Sequence, residues 1–292
     1  MFKVRNPAYP SAMRLFLLNC LTMTAFAANS LLTRLAVESG ATDPTSFASI
    51  RVASGTVMLV LLARLRRRPL PLRSYRRVAG AGALALYMVG FSLAYLSLNA
   101  GVGALILFGA VQITMFGLAS ASGVPVTARQ ILGAILALCG LAWILWPAGT
   151  WSVDPVGAAL MVMAGFGWAI YTRSGVGEPD ALSASAANFC YALPLTLLAP
   201  AIGGVPISAA PKGMFLAILS GAIASGLGYA LWFWIVPQLR AVVAATVQLS
   251  VPVIAVLGGA LLLGEAVHPH LVLGAAVVLG GIGLSVSKGR SA

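Results

Sequence analysis

Charge is what this chain has least of. Only 8% of its 292 residues are Asp, Glu, Lys or Arg, and six of those are acidic. An ordinary water-soluble domain carries about 25% charged residues. So few charges cannot cover a globule of this size, and the 60% hydrophobic content points to a lipid solvent. Cysteine is almost as scarce. Cys20, Cys139 and Cys190 stand singly in apolar runs, with no CxxC or Cys/His spacing. That pattern supports neither a disulfide framework nor a metal site, and the three thiols read as small buried hydrophobes. No phosphate-binding loop of the form GxxxxGK followed by Ser or Thr occurs, so neither ATP hydrolysis nor any cofactor is expected. The six acids, Glu38, Asp43, Asp154, Glu178, Asp180 and Glu265, all fall at the ends of apolar runs or between them. A buried carboxylate proton relay is therefore not expected.

Apolar runs are abundant. Charges, prolines and glycine clusters divide the chain into ten, at roughly 14–37, 46–63, 78–98, 101–122, 129–147, 155–173, 181–203, 212–236, 241–263 and 269–287. Each is near the ~20 residues that cross a bilayer as a helix. The runs are continuously apolar, not alternating, which favours helices over a barrel. The first one imitates a secretory signal, with Arg14 before LFLLNCLTMTAFAA. Its apolar character continues to Val37, longer than the ~7–15 residues of a signal core, so it reads as an uncleaved span.

The basic residues are local. The stretch RLRRRPLPLRSYRR at 64–77 holds seven arginines, a pattern that in a polar chain suggests nucleic acid. With the N-terminus cytoplasmic, the cytoplasmic segments hold Lys3, Arg5, Arg14, those seven arginines, Arg129, Arg173, Arg240, Lys288 and Arg290. That is fifteen of the eighteen basic residues, leaving Arg34, Arg51 and Lys212 for the other side. This is the positive-inside bias of an even number of spans with both ends inside. The arginine run reads as a topology anchor beside anionic lipid headgroups, and no nucleic-acid partner is expected.

The chain also repeats itself. Shifted by 141 residues, thirteen of the 43 positions from Leu98 to Gly140 meet identical residues between Leu239 and Gly281. Chance would give about four or five in so biased a composition. TRLAVESG at 33–40 and TRSGVGEP at 172–179 echo each other at nearly the same shift. The expected architecture is all-α and integral to the membrane, with ten transmembrane helices as two inverted five-helix repeats over residues 1–150 and 151–292. An odd number of helices per repeat makes the second copy enter from the opposite side, a device of transporters with midplane binding sites.

Polar and aromatic groups within spans are the candidate cargo contacts. Asn29, Gln112, Asn188 and Gln248 are amides that can donate and accept together, either to a cargo or between helices. Tyr87, Tyr95, Trp168, Tyr191, Tyr229 and Trp232 can supply an aromatic wall. Trp143, Trp146, Trp151, Tyr171 and Trp234 read instead as interfacial belts. Pro194 and Pro252, inside spans seven and nine, are hinge candidates. Arg51 either pairs with Glu38 or Asp43 at the outer rim or meets a cargo carboxylate. Glu265, His268 and His270 are the nearest approach to a catalytic cluster, and nothing nucleophilic completes it.

The stretches DPTSFASIRVASG at 43–55 and LLLGEAVHPHLVLGAAVVLGGIGL at 261–284, together with Pro252, give the chain a resemblance to the drug/metabolite transporter superfamily. The resemblance resides in the EamA-type repeat and extends to YddG-type amino-acid exporters of bacterial inner membranes. It departs in the first copy, where Gly123 and Val124 align with Gly264 and Glu265. The resemblance implies a ten-helix basket exporting aromatic and other amino acids, with some cationic drugs as further cargo, needing only membrane lipids and no ATPase partner.

Overall fold

The structure is a computed structural model, and it describes residues 12–98, 100–123, 126–145, 154–202, 204, 206–263 and 269–286. Within these the chain is helical: α1 (Ala12–Glu38), α2 (Pro44–Leu65), α3 (Tyr75–Ala94), α4 (Ala100–Ala121), α5 (Ala128–Leu145), α6 (Pro155–Ser174) and α7 (Ala181–Ile202). The next rod is interrupted: α8 (Pro211–Leu219), a π-helical segment (Ser220–Leu227) and α9 (Gly228–Ile235) follow one another. Then come α10 (Ala241–Val247), α11 (Ser250–Leu263) and α12 (Pro269–Val286). Among the described residues, six helical segments are long and apolar enough to cross a membrane: 12–37, 44–65, 75–94, 155–174, 181–202 and 211–238. Shorter apolar helices occupy 106–121, 128–140, 241–255 and 276–285.

Proline starts α2, α6, α8 and α12, where its missing N–H has no intrahelical partner to lose. Asp43 and Asp154 then cap the first two of these, accepting from the backbone N–H groups of Thr45 and Ser46, and of Gly157. Burial pushes the Asp43 carboxyl up, but hydrogen bonds from Ser46 and Thr45 outweigh it and hold the group below its ordinary value of 3.8. A carboxyl depressed by folding contributes stability above its unfolded pKa and loses it as pH falls through the folded one. Asp43→Ala should therefore lower stability by about 1 kcal/mol at pH 7. Melting curves should show the gap between variant and wild type closing once the pH is taken below 3.8.

The surface is rich in large apolar side chains, and the mainly apolar interior also holds buried amides and arginines. Phe16, Val57, Leu61, Ile113 and Leu261 are exposed, while Asn29, Arg51, Arg77, Gln112, Asn188 and Gln248 are buried. Cys20 and Cys139 are exposed and Cys190 half-buried, which corrects the expectation of three buried thiols. In hydrocarbon a small weakly polar thiol gains nothing by hiding.

Helix packing follows a regular scheme. α3 packs on α6 and α7, α4 on α6, α2 on α7 and the π segment, α1 on α9 and α11, and α5 on α12. Let α1 to α5 correspond in order to α6, α7, the α8–α9 rod, the α10–α11 rod and α12. Exchanging the two sets turns α3–α6 into α9–α1 and α4–α6 into α11–α1, and returns α2–α7 and α5–α12 to themselves. The glycines repeat this residue by residue. A Cβ on Gly133 would lie 2.6 Å from the carbonyl of Gly281, and one on Gly140 would lie 2.9 Å from that of Gly274. The 141-residue shift carries Gly133 to Gly274 and Gly140 to Gly281. The two contacts thus map onto each other, as across a two-fold axis, and α5 and α12 run antiparallel.

One expected feature falls differently. Span nine is not one helix bent at Pro252 but two, with Gln248 and Leu249 between α10 and α11. Pro252 lies in the first turn of α11, where proline costs no ladder bond. Pro194 lies inside α7, which stays helical from Ala181 to Ile202. Trp146, Trp151, Glu265, His268 and the side chains of Glu38 and His270 lie outside what the structure describes.

A candidate cargo site between the two helix sets

Six rods meet at a small cavity of about 30 Å³. It is lined from α1 by Phe26, Asn29 and Ser30, and from α3 and its end by Tyr87, Phe91 and Tyr95. Leu107 and Phe108 of α4, Trp168 of α6, Tyr229 of α9 and Val251 of α11 complete it. The space suits one or two waters, not a metabolite. The partly exposed lining residues, Ser30 and Tyr95, both lie toward the end opposite the arginine-rich loop. The cavity thus leans toward that end.

Aromatic edges close its other side. Trp168 lies 4.7 Å from Tyr229 and 5.0 Å from Tyr87, ring centre to ring centre, and Phe26 meets Trp168 edge-on at 5.1 Å. The Trp168 indole N–H donates to Oε1 of Gln248, whose Nε2 donates to the carbonyl of Ala244. The break between α10 and α11 thereby fixes the tryptophan. Below it Tyr171 packs against Trp168 and Phe233, and Trp232 donates to Thr172. Tyr171 is fully buried, which corrects its assignment to a belt; Trp143 and Trp234 are exposed.

A polar network backs the wall. Asn29 Oδ1 accepts from the hydroxyls of Ser220 (2.7 Å) and Ser225 (3.1 Å), which stand five residues apart, about one π turn. One carboxamide thus pins both ends of the widened turn. Arg51 is wholly buried beside it. Its Nε donates to Ser225 Oγ and its Nη2 to the Tyr229 hydroxyl, each at 2.7 Å. The Tyr229 hydroxyl lies 3.4 Å from that of Tyr87. The guanidinium carbon is 5.8 Å from the Tyr87 ring centre and 6.0 Å from that of Phe91, within cation–π range. Asp43 is occupied as a cap, so the expected rim pair between it and Arg51 does not form.

Five of the ten candidates, Asn29, Tyr87, Tyr95, Trp168 and Tyr229, line the cavity. Gln248 and Trp232 stand behind it. The remaining three lie elsewhere. Gln112 donates to Thr246 Oγ1, which also accepts from Ser285, and so ties α4 to α10 and α12. Tyr191 donates to the carbonyl of Leu72 at 2.5 Å, tacking the arginine-rich loop onto α7. Asn188 sits near that loop with Arg77, whose Nη1 reaches its Oδ1 at 3.4 Å. Phe26 and Phe91 are wall residues that went unselected. Phe91 had a signal, lying one helical turn from both Tyr87 and Tyr95 on one face of α3.

Both ends of the bundle are tied across the helix sets. At the arginine-rich end the buried Arg77 pairs with Glu178 in the α6–α7 connection, and Arg68 lies 3.8 Å from Asp180. Arg77 is therefore a buried structural cation rather than a headgroup anchor. At the opposite end the tie is mostly main-chain. Ala210 N–H donates to the carbonyl of Ala41 at 2.8 Å, and the Thr42 hydroxyl donates to that of Ser208 at 3.0 Å.

Comparison with known proteins agrees with this architecture. Residues 155–287 match the EamA-like transporter family. An uncharacterized protein of Pseudomonas aeruginosa, PA1977, is 47% identical over 285 residues, covering 96% of this chain and 97% of the relative. A solved crystal structure superposes with a TM-score of 0.77 over 94% of this chain and 97% of its own, at 18% identity, a likeness of fold alone. The chain is a multi-pass membrane protein whose residues 155–287 carry an EamA-like transporter domain, which places it in the drug/metabolite transporter superfamily.

Proposed function

We propose that this protein is a secondary exporter of aromatic and other neutral amino acids, working by alternating access in a bacterial inner membrane, as YddG-type exporters do. In this reading ten spans form two inverted five-helix halves, 1–150 and 151–292, with both termini cytoplasmic. The observation that carries it is the composition of the cavity wall. α1, α3 and α4 of one half and their counterparts α6, α9 and α11 of the other all contribute. Cargo held there sits on the seam, and rocking the halves would open it first to one side and then to the other. The ionic tie closes the cytoplasmic end and the main-chain tie the other, so each opening releases one of them. Pro194 is proposed as one point of flexure, and the break at Gln248 and Leu249, just before Pro252, as another.

The aromatic wall offers faces for an apolar side chain and, through the ring quadrupole, for an ammonium group. Members of the family are transporters, not enzymes. The test is counterflow into liposomes carrying the purified protein. Labelled tryptophan, phenylalanine, threonine or methionine should accumulate against unlabelled amino acid inside. Trp168→Ala should reduce this by about tenfold, the worth of one or two aromatic contacts. Wild-type protein that accumulates none of the four overturns the reading.

A further inference from the structure

A cation buried in hydrocarbon is costly, and proteins keep one there where it meets a partner or a pathway. Arg51 has no carboxylate within 4 Å among the described residues, although it is fully buried. Its Nε and Nη2 are held by Ser225 and Tyr229, while Nη1 has no partner. Asn29 is in the same condition: its oxygen is used by the two serines and its Nδ2 donor is buried without an acceptor. The two unsatisfied donors belong to one network, since Ser225 touches both side chains. Every neighbour named in it is a hydroxyl, an amide or an aromatic ring, and none supplies a negative charge. Buried donors without acceptors cost free energy unless a ligand provides one.

We propose that Arg51 and Asn29 form the receptor for a carboxylate on the cargo, so that the carrier requires an anionic headgroup and rejects organic cations. The proposal rests on the transporter reading above and specifies which end of the cargo is recognised. Tyr87, Phe91, Tyr229 and Asn29 line the cavity and contact Arg51 or its Ser225 partner, so the guanidinium stands one side chain behind the wall. The cavity is too small for cargo in this closed form, and parting of the halves widens it. A carboxylate then takes the free guanidinium arm and the free amide, as planar Arg–carboxylate geometry favours. The aromatic wall takes the side chain. An ammonium group alone would be repelled by the uncompensated guanidinium.

The experiment compares four molecules sharing one ring: phenylalanine, 3-phenylpropionate, phenethylamine and phenylalanine amide. In proteoliposome counterflow the two carboxylates should move or compete, and the two amines lacking a carboxylate should do neither. Arg51→Met should lose carboxylate transport by about thirtyfold, the value of a charge-assisted buried bond. It should melt at or above the wild-type temperature, because an unpaired buried charge has been removed. Melting in detergent gives a readout independent of transport: 3-phenylpropionate should raise the wild-type transition and leave that of Arg51→Met unmoved. Phenethylamine carried as well as phenylalanine, transport surviving in Arg51→Met, or a variant melting well below wild type would each overturn the proposal. Wild type that binds 3-phenylpropionate but transports nothing would leave the carboxylate site standing and remove the carrier reading.

Discussion

Glu178→Gln should be among the most damaging single substitutions in this protein. Its carboxylate is the ion-pair partner of Arg77, which is only 1% exposed and also reaches the Ala184 carbonyl and Asn188 at 3.4 Å. Removing the acid strands a guanidinium in an apolar interior. Breaking a buried pair from one side typically costs about 3–5 kcal/mol. For a chain of this size that is a fall of roughly 10 °C in melting temperature. Arg76, whose guanidinium lies 4.0 Å from the same carboxylate, is largely exposed, so the loss of its own ion pair adds little. The double variant Arg77→Met with Glu178→Leu should recover most of the loss, because neither charge then remains unpaired. Thermal melts of the two singles and the double decide it. Additive losses, or a single variant as stable as wild type, would show that the pair does not hold this end of the bundle.

Gly221→Ala should be nearly as severe for a different reason. A Cβ at this position would stand 2.1 Å from the Arg51 carbonyl and 2.0 Å from Ser54 Oγ. The hydroxyl can rotate away, but the carbonyl belongs to the backbone of α2 and cannot. The π segment and α2 would have to separate, and Ser225, which holds both Arg51 and Asn29, lies one turn further along. Overpacking costs about 1–3 kcal/mol, occasionally more, so a melting temperature lower by roughly 5–10 °C is expected. Transport should fall to background as the network is pulled apart. Gly117→Ala is the control: nothing lies within 4 Å of its Cβ, and helix propensity should make it neutral or slightly stabilising. Equal behaviour of the two alanines would refute the close approach.

The run SGAIASGLG at 220–228 is made largely of small residues, which leave room for a neighbouring backbone. Its π-helical winding was not legible. That winding depends on Asn29, nearly two hundred residues earlier, bonding to both Ser220 and Ser225. Arg51 shows the same division. Its presence inside an apolar run marked it as unusual, but the nearest acid in sequence, Asp43, proved to be a helix cap. Arg77 was hidden among six neighbours of the same type. Nothing local distinguishes the arginine that folds inward onto Glu178 from those that stay exposed. Tyr191 and Asn188 were cargo candidates by their place within a span, yet both turn toward the arginine-rich end.

By itself the sequence determined the solvent, the helical class, the approximate ends of the helices and the 141-residue echo between halves. These follow from mean apolarity, run length, capping residues and glycine spacing, which are properties of neighbours along the chain. Only the tertiary structure decided which polar side chains share a cavity, which arginine loses its water and which glycine touches a carbonyl. Those depend on how each helix is rotated about its axis. In a bundle that is apolar all round, no hydrophobic stripe records that rotation, so it is set by contacts between residues far apart in the chain.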